Sequence, residues 1–199
     1  TRPKYQGRIT AKNLLAAGLK VTLVTDSEAA FLVSREDQQE IDLVILGADA
    51  IGIEGWAFNK VGSYGIALAA KTDQIPFYIA ATLLKVAPHP LIIEERPAAE
   101  VWEKRPKKLE ILNPAFDKIP AELITGYITE FGILKPEKIK RAVKENYPWI
   151  IESLEFKVKS SKLKKERPYL SYLHLREKVD PQKHILATFR LETIDNFLE

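Results

Sequence analysis

The feature that most narrows the fold is the stretch 41–70, IDLVILGADAIGIEGWAFNKVGSYGIALAA. Its apolar run at residues 43–46 does not alternate, which predicts a parallel strand buried on both faces. The run stops at Gly47-Ala48-Asp49 and the chain turns through Gly52 and Gly55 to Asn59-Lys60. Gly62-Ser63 then opens a helix, with Ile66, Leu68 and Ala69 as its expected apolar face. Ligands of open α/β sheets sit at the carboxyl ends of strands, beside helix starts that favour anions. A carboxylate, an amide, an ammonium and a helix start therefore meet at one such place, a layout suited to a phosphorylated small molecule. Taken singly the parts say less. Asp49 reads equally as a turn or cap residue, Asn59-Lys60 as a polar loop corner, and Gly52 and Gly55 as turn glycines. Neither GxGxxG nor GxxxxGK[ST] occurs, so no motif supports a dinucleotide or nucleoside triphosphate site.

The flanks continue the alternation of strand and helix. Residues 10–17 predict a helix that ends on Gly18 as a left-handed cap, and 21–25 a β-branched strand. Asp26-Ser27 is the expected cap of a helix over 28–35. Further strands are expected at 75–81 and 91–95, a short helix at 98–102 and a turn at 113–117. Pro120 starts another short helix, 127–129 is the last strand, and 136–147 forms a charged amphipathic helix. This order implies an α/β fold whose mainly parallel sheet is covered on both faces. After Pro148 the character changes. Residues 1–148 read as one domain, 149–168 as a linker, and 169–199, with a strand at 184–191, as the start of a second unit.

Composition removes several classes. The 199 residues contain no Cys, so disulfides and thiolate metal sites are excluded, and three scattered His give no ligand spacing. No cofactor or metal is expected. No apolar run is long enough to span a bilayer and no signal peptide is visible, so a cytoplasmic protein is expected. The net charge of +3 is misleading, because the run 157–168 carries six cations against Glu166 and leaves the remainder slightly acidic. Without interleaved aromatics that run reads as a solvated linker rather than a nucleic-acid site.

The segments TRPKYQGRITAKNLLAAGLKVTLVTDS, VILGADAI, NKVGSYGIALAAK, IPFYIAAT, IEER and NPAFDKIPAELITGYITEFGI occur in this order. Together they closely resemble the family of 5-methylthioribose-1-phosphate isomerase, ribose-1,5-bisphosphate isomerase and the alpha, beta and delta subunits of translation initiation factor 2B. The resemblance covers residues 1–148. It implies a Rossmann-like three-layer catalytic domain, with a helical N-terminal domain, a catalytic Cys and an arginine-glycine phosphate loop upstream of the TRP motif. It implies that Asp49 is the proton donor and that Gln6, Asn59 and Lys60 bind substrate. It also implies an oligomer. The retained GAD motif favours an enzyme over a non-catalytic regulatory subunit.

The chemistry suits those residue types. An aldose 1-phosphate cannot open its ring unaided, so the ring oxygen needs an acid, and an Asp desolvated at a strand end would hold the proton. Lys60 supplies a point charge, and backbone amides near Gly62-Ser63 are expected to cradle phosphate. Lys85 sits where the ribose-1,5-bisphosphate isomerases have a lysine, and a second cation suits a second phosphate. Tyr64 and the IEER segment lean towards the methylthioribose enzymes. The expected reaction is therefore isomerisation of a ribose 1-phosphate, first ribose 1,5-bisphosphate and alternatively 5-methylthioribose 1-phosphate. Asp117 faces the site or caps the Pro120 helix, with the cap favoured. Glu94 and Glu95, adjacent on a strand, are not expected to pair. Trp56 reads as a loop anchor. The tail YLSYLHLREKVDPQKHILATFRLE resembles the start of ribulose-bisphosphate-carboxylase-like proteins.

Overall fold

Among the described residues, eight strands fall into two four-stranded sheets. In the computed structural model, residues 5–34, 41–87 and 93–152 are described. The first sheet has the order β1-β4-β7-β8, with β1 Val44–Gly47, β4 Phe77–Ala80, β7 Gly126–Thr129 and β8 Gly132–Leu134. The first three strands run parallel, and β8 returns antiparallel to β7. The α/β architecture with a mainly parallel principal sheet is thus present. The second sheet has the order β5-β2-β3-β6, from β2 Ala50–Gly52, β3 Ala57–Lys60, β5 Val86–Ala87 and β6 Phe116–Ile119. Sequence pattern does not reveal it, because strands of two to four residues give no periodicity and their glycines read as turns.

Helices α1 Gln6–Ala16, α2 Ala29–Val33, α3 Ser63–Thr72 and α4 Ile139–Asn146 complete the fold. Gly18 takes φ +82° and ends α1 as expected: its N–H donates to the Leu15 carbonyl and that of Leu19 to Leu14, the Schellman pattern. The cap before α2 is Thr25 rather than Asp26-Ser27, since Glu28 accepts the Thr25 N–H at 2.8 Å. Helix α4 follows a 3-10 turn at Pro136–Lys138 and buries Ile139, Ala142 and Val143.

Several expectations differ from the structure. Val44 is buried but Leu43 and Ile45 are exposed, so β1 alternates and is covered on one face only by the described residues. Residues 21–25 form no strand and lie almost wholly exposed. The helix α1 buries no residue. In α3 the buried positions are Ser63, Ala67 and Ala70; of the expected face Ile66 and Ala69 pack partly buried against the core, while Leu68 faces solvent. The strand 127–129 is not the last, since the turn at Gly132 (φ +91°) sends β8 back along it. In the 91–95 segment, among the described residues, only an isolated bridge from Glu95 to Pro114 forms. The expected linker beyond residue 152 and the strand at 184–191 lie outside the described residues.

The core joins both sheets, with Phe77, Ile79 and Tyr127 from the first packed in one cluster with Ile51, Ala57 and Ile119 from the second. Gly52 and Gly55 are more than turn residues. A Cβ on Gly52 would stand 2.0 Å from the Trp56 ring, which packs edge-on against Phe58. Gly55 takes φ +86° and a Cβ there would meet Pro136 at 2.7 Å, while its carbonyl accepts the buried Tyr127 hydroxyl at 2.8 Å. Replacing Gly55 with Ala should cost about 1–2 kcal/mol in left-handed strain alone, with the Pro136 clash added. A thermal melt followed by circular dichroism should fall by several degrees, and an unchanged melt would remove this role for Gly55.

Candidate functional site

Asp49 lies in the step between β1 and β2, and its N–H donates to the Phe58 carbonyl at 2.8 Å. Strands β2 and β3 form a hairpin, Ala50 opposite Phe58 and Ile51 opposite Ala57, which returns the chain beside Asp49 with Asn59-Lys60 at its end. From the other side, β6 pairs with β3 so that Asp117 stands opposite Asn59 and Phe116 opposite Lys60. The turn after β4 supplies Lys85, whose ammonium donates to the Ala48 carbonyl, one residue from Asp49. Asp49, Asn59, Lys60 and Lys85 are thereby gathered where β1 ends. Gln6 lies exposed in the first turn of α1, and its carbonyl accepts the Thr10 hydroxyl at 3.3 Å within that helix. Asp49 is exposed, so the apolar enclosure expected around it is not formed by the described residues.

The junction between β3 and α3 is tied at several points. Asn59 Nδ2 donates to Ser63 Oγ at 2.9 Å, and Ser63 Oγ donates to the Lys60 carbonyl at 2.7 Å. Gly62, at φ +106°, has no side chain to cap the helix. Asp117 supplies the cap instead: its Oδ2 accepts the N–H of Gly62 at 2.7 Å and that of Tyr64 at 3.0 Å. This corrects two expectations. Asp117 lies on a strand and caps α3, not the Pro120 helix, and the amides expected to cradle phosphate at Gly62 already have a protein acceptor. Burial pushes the Asp117 carboxyl above the usual aspartate range, outweighing the backbone hydrogen bonds that favour its charged form. Its second oxygen, Oδ1, is buried and has no partner among the described residues.

The Lys85 turn has its own clamp. Glu130 accepts the Thr82 hydroxyl at 2.8 Å, the Leu83 N–H at 3.1 Å and the Tyr147 hydroxyl at 2.9 Å. Burial, and then the bond to Glu130, push the Tyr147 hydroxyl up to about 12. Sequence reasoning takes Ser63 as a helix opener but misses its hydroxyl's bonds to Asn59 and Lys60, and it overlooks Glu130, whose role depends on pairing β7 with β4. Glu94 bonds to Arg96 and Glu95 to the Asn113 N–H, so the two carboxylates do not pair. Trp56 anchors its hairpin as expected, with Lys118 over its ring at 4.9 Å. Among the described residues no three His, Cys, Asp or Glu side chains converge to hold a metal, and no helix is long and apolar enough to cross a membrane. An exposed carboxyl, an amide and two ammonium groups at strand ends can hold an anionic, hydroxyl-rich ligand and move a proton.

Known proteins share this arrangement of sequence and fold. A family model described as "Initiation factor 2 subunit family" matches residues 1–136. A methylthioribose-1-phosphate isomerase of Heliobacterium modesticaldum is 45% identical over 147 residues, 68% of this chain and 42% of the relative. A ribose 1,5-bisphosphate isomerase of Methanocaldococcus jannaschii is 39% identical over 157 residues, 75% of this chain and 49% of the relative. The crystal structure of 5-methylthioribose 1-phosphate isomerase from Pyrococcus horikoshii matches with a TM-score of 0.62 at 34% identity, over 77% of this chain and 44% of that one. The translation initiation factor eIF-2B subunit delta from A. fulgidus matches with 0.61 at 34% identity, over 76% and 45%. The chain spans less than half the length of each of these relatives.

The raised Asp117 carboxyl has a signed consequence for stability. Between its ordinary value and its higher folded value, the folded chain binds more proton than the unfolded one, so stability falls as pH rises through that window. Asp117→Asn does not titrate and serves as the reference. The stability of the native sequence relative to Asp117→Asn, from urea midpoints, should decline as pH rises from the acid range towards neutrality. A difference independent of pH would show that Asp117 does not titrate abnormally.

Proposed function

The chain belongs to the initiation factor 2 subunit family, and we propose that the protein is an aldose–ketose isomerase acting on a ribose 1-phosphate, first of all ribose 1,5-bisphosphate. The observation that carries the reading is the gathering of Asp49, Asn59, Lys60 and Lys85 at the end of β1. Relatives bearing both isomerase names support the reaction class.

In the proposed reaction Asp49 gives its proton to the ring oxygen as the bond from that oxygen to C1 breaks. Hydrogen then passes from C2 to the electron-deficient C1 as hydride, with its bonding pair, and the C2 hydroxyl returns a proton to Asp49 as it becomes a carbonyl. The step is internal to the sugar, so atoms and electrons balance without a co-reactant. Lys60 faces the 1-phosphate and Lys85 a second phosphate, as point charges. Asn59 has its amide N–H engaged by Ser63, which leaves its carbonyl oxygen for a substrate hydroxyl. Gln6 also contacts the sugar in this reading. Residues 1–148 form the domain that does this work, 149–168 link it to a second unit beginning at 169, and the protein acts in the cytoplasm. A homo-oligomer fits the exposed apolar side chains of Ile9, Leu15, Leu43 and Ile45.

A second reading, isomerisation of 5-methylthioribose 1-phosphate, is favoured by the 45% identity to the Heliobacterium enzyme of that name. Phosphorus NMR of the full polypeptide carrying this sequence, offered each sugar phosphate separately, decides. The first reading expects conversion of the bisphosphate, a loss of about a hundredfold or more in Asp49→Asn, and a KM for the bisphosphate raised about tenfold in Lys85→Met. Conversion of the methylthio sugar alone would select the second reading, and turnover of neither would overturn both.

A further inference from the structure

The α3 cap comes from an unusual distance. A helix start is ordinarily satisfied by the side chain of its own N-cap residue. Here that residue is Gly62, and the acceptor is Asp117 on β6, 55 residues away in sequence. The same Asp117 stands opposite Asn59 in the β3–β6 ladder. One residue thus fixes both ends of the segment 59–64: its backbone pairing holds Asn59, and its Oδ2 holds the N–H groups of Gly62 and Tyr64. Asn59 and Lys60 lie between these ties, with Ser63 bonded to both.

The arrangement is costly. Asp117 Oδ1 is buried and has no partner among the described residues, an unfavourable state for a polar group. A cap needed only to stop fraying could be local and fully satisfied, as Thr25 and Glu28 are before α2. Strained or half-satisfied groups persist where they serve a site.

We infer that Asp117 is a positioning residue: through the Gly62 and Tyr64 amides it sets where Asn59 and Lys60 stand, without touching substrate. This rests on the isomerase reading for its kinetic consequence, but not for its structural one. Both amides bond to the same oxygen, so the device needs an acceptor at the Oδ2 position and not a negative charge. Asn can supply that acceptor and Ala cannot.

The full polypeptide is the protein to test, with the sugar phosphate that the native sequence turns over. A variant that merely unfolds in part lowers apparent kcat and leaves KM alone, whereas displaced binding groups raise KM. Asp117→Ala should raise KM about tenfold or more, and Asp117→Asn should stay within about threefold of the native value. An Ala variant that is folded and keeps the native KM overturns the inference, as does an Asn variant as impaired in KM as the Ala one. Amide hydrogen exchange supplies a readout independent of activity and of the Ala variant's folding. The Gly62 and Tyr64 N–H groups should be protected in the native and Asn proteins, and free exchange at both in the native protein overturns the inference. If the native protein turns over no sugar phosphate, the isomerase reading fails while exchange still judges the cap.

Discussion

The hydrogen bond from Tyr127 to Gly55 is the tie on which the rest of the arrangement depends. Tyr127 is fully buried in β7 of the principal sheet, and its hydroxyl reaches the carbonyl at the tip of the β2–β3 hairpin in the second sheet. A buried phenol must find an acceptor or lose the free energy of its desolvation. Only a hairpin folded back to within reach meets that demand, and Gly55 can make the approach because nothing projects from its Cα towards Pro136. Holding the tip fixes the hairpin, and the hairpin carries Asn59 and Lys60 back to Asp49. Burial pushes the Tyr127 hydroxyl well above the usual tyrosine range, so across physiological pH it stays protonated and keeps donating.

The loops at the strand ends follow the same logic with carboxylates. Asp117 on β6 and Glu130 in the turn after β7 each collect donors from a turn far away in sequence and pin it in place. One clamps the segment with Asn59-Lys60, the other the turn before Lys85. The candidate site therefore rests on two acids that sit behind its lysines and are not required to meet a ligand themselves. This division explains why Asp117, which in the sequence reads as a site residue or a local cap, proves to be a cap for a different helix.

How much of this was legible in the sequence depended on the range of the interactions. The strand 43–46, the GAD turn, the helix opening at Gly62-Ser63 and the Gly18 cap are local, and each can be read from residues within a turn of one another. The convergence of Asp49 with Asn59-Lys60 was legible because Gly52 and Gly55 signal a chain reversal between them. The second sheet was not, since its pairings join residues such as Asn59 and Asp117 through register alone. Nor was one-sided burial: Leu43 and Ile45 read as core because the pattern records apolar character and not what covers it.

That last point bears on the chemistry. Protonating a ring oxygen and shifting hydrogen between carbons is favoured where water is excluded, because electrostatic groups act more strongly and reactive intermediates are protected. Asp49 and Lys85 are exposed among the described residues, as are Ile9, Leu15, Leu43 and Ile45. Both the polar groups and these apolar side chains are therefore open to solvent among the described residues. The Lys85 ammonium, meanwhile, rests on the Ala48 carbonyl, a neutral acceptor that a phosphate would outcompete by charge. Lys85 is thus held beside Asp49 by a neutral acceptor that leaves its charge uncompensated.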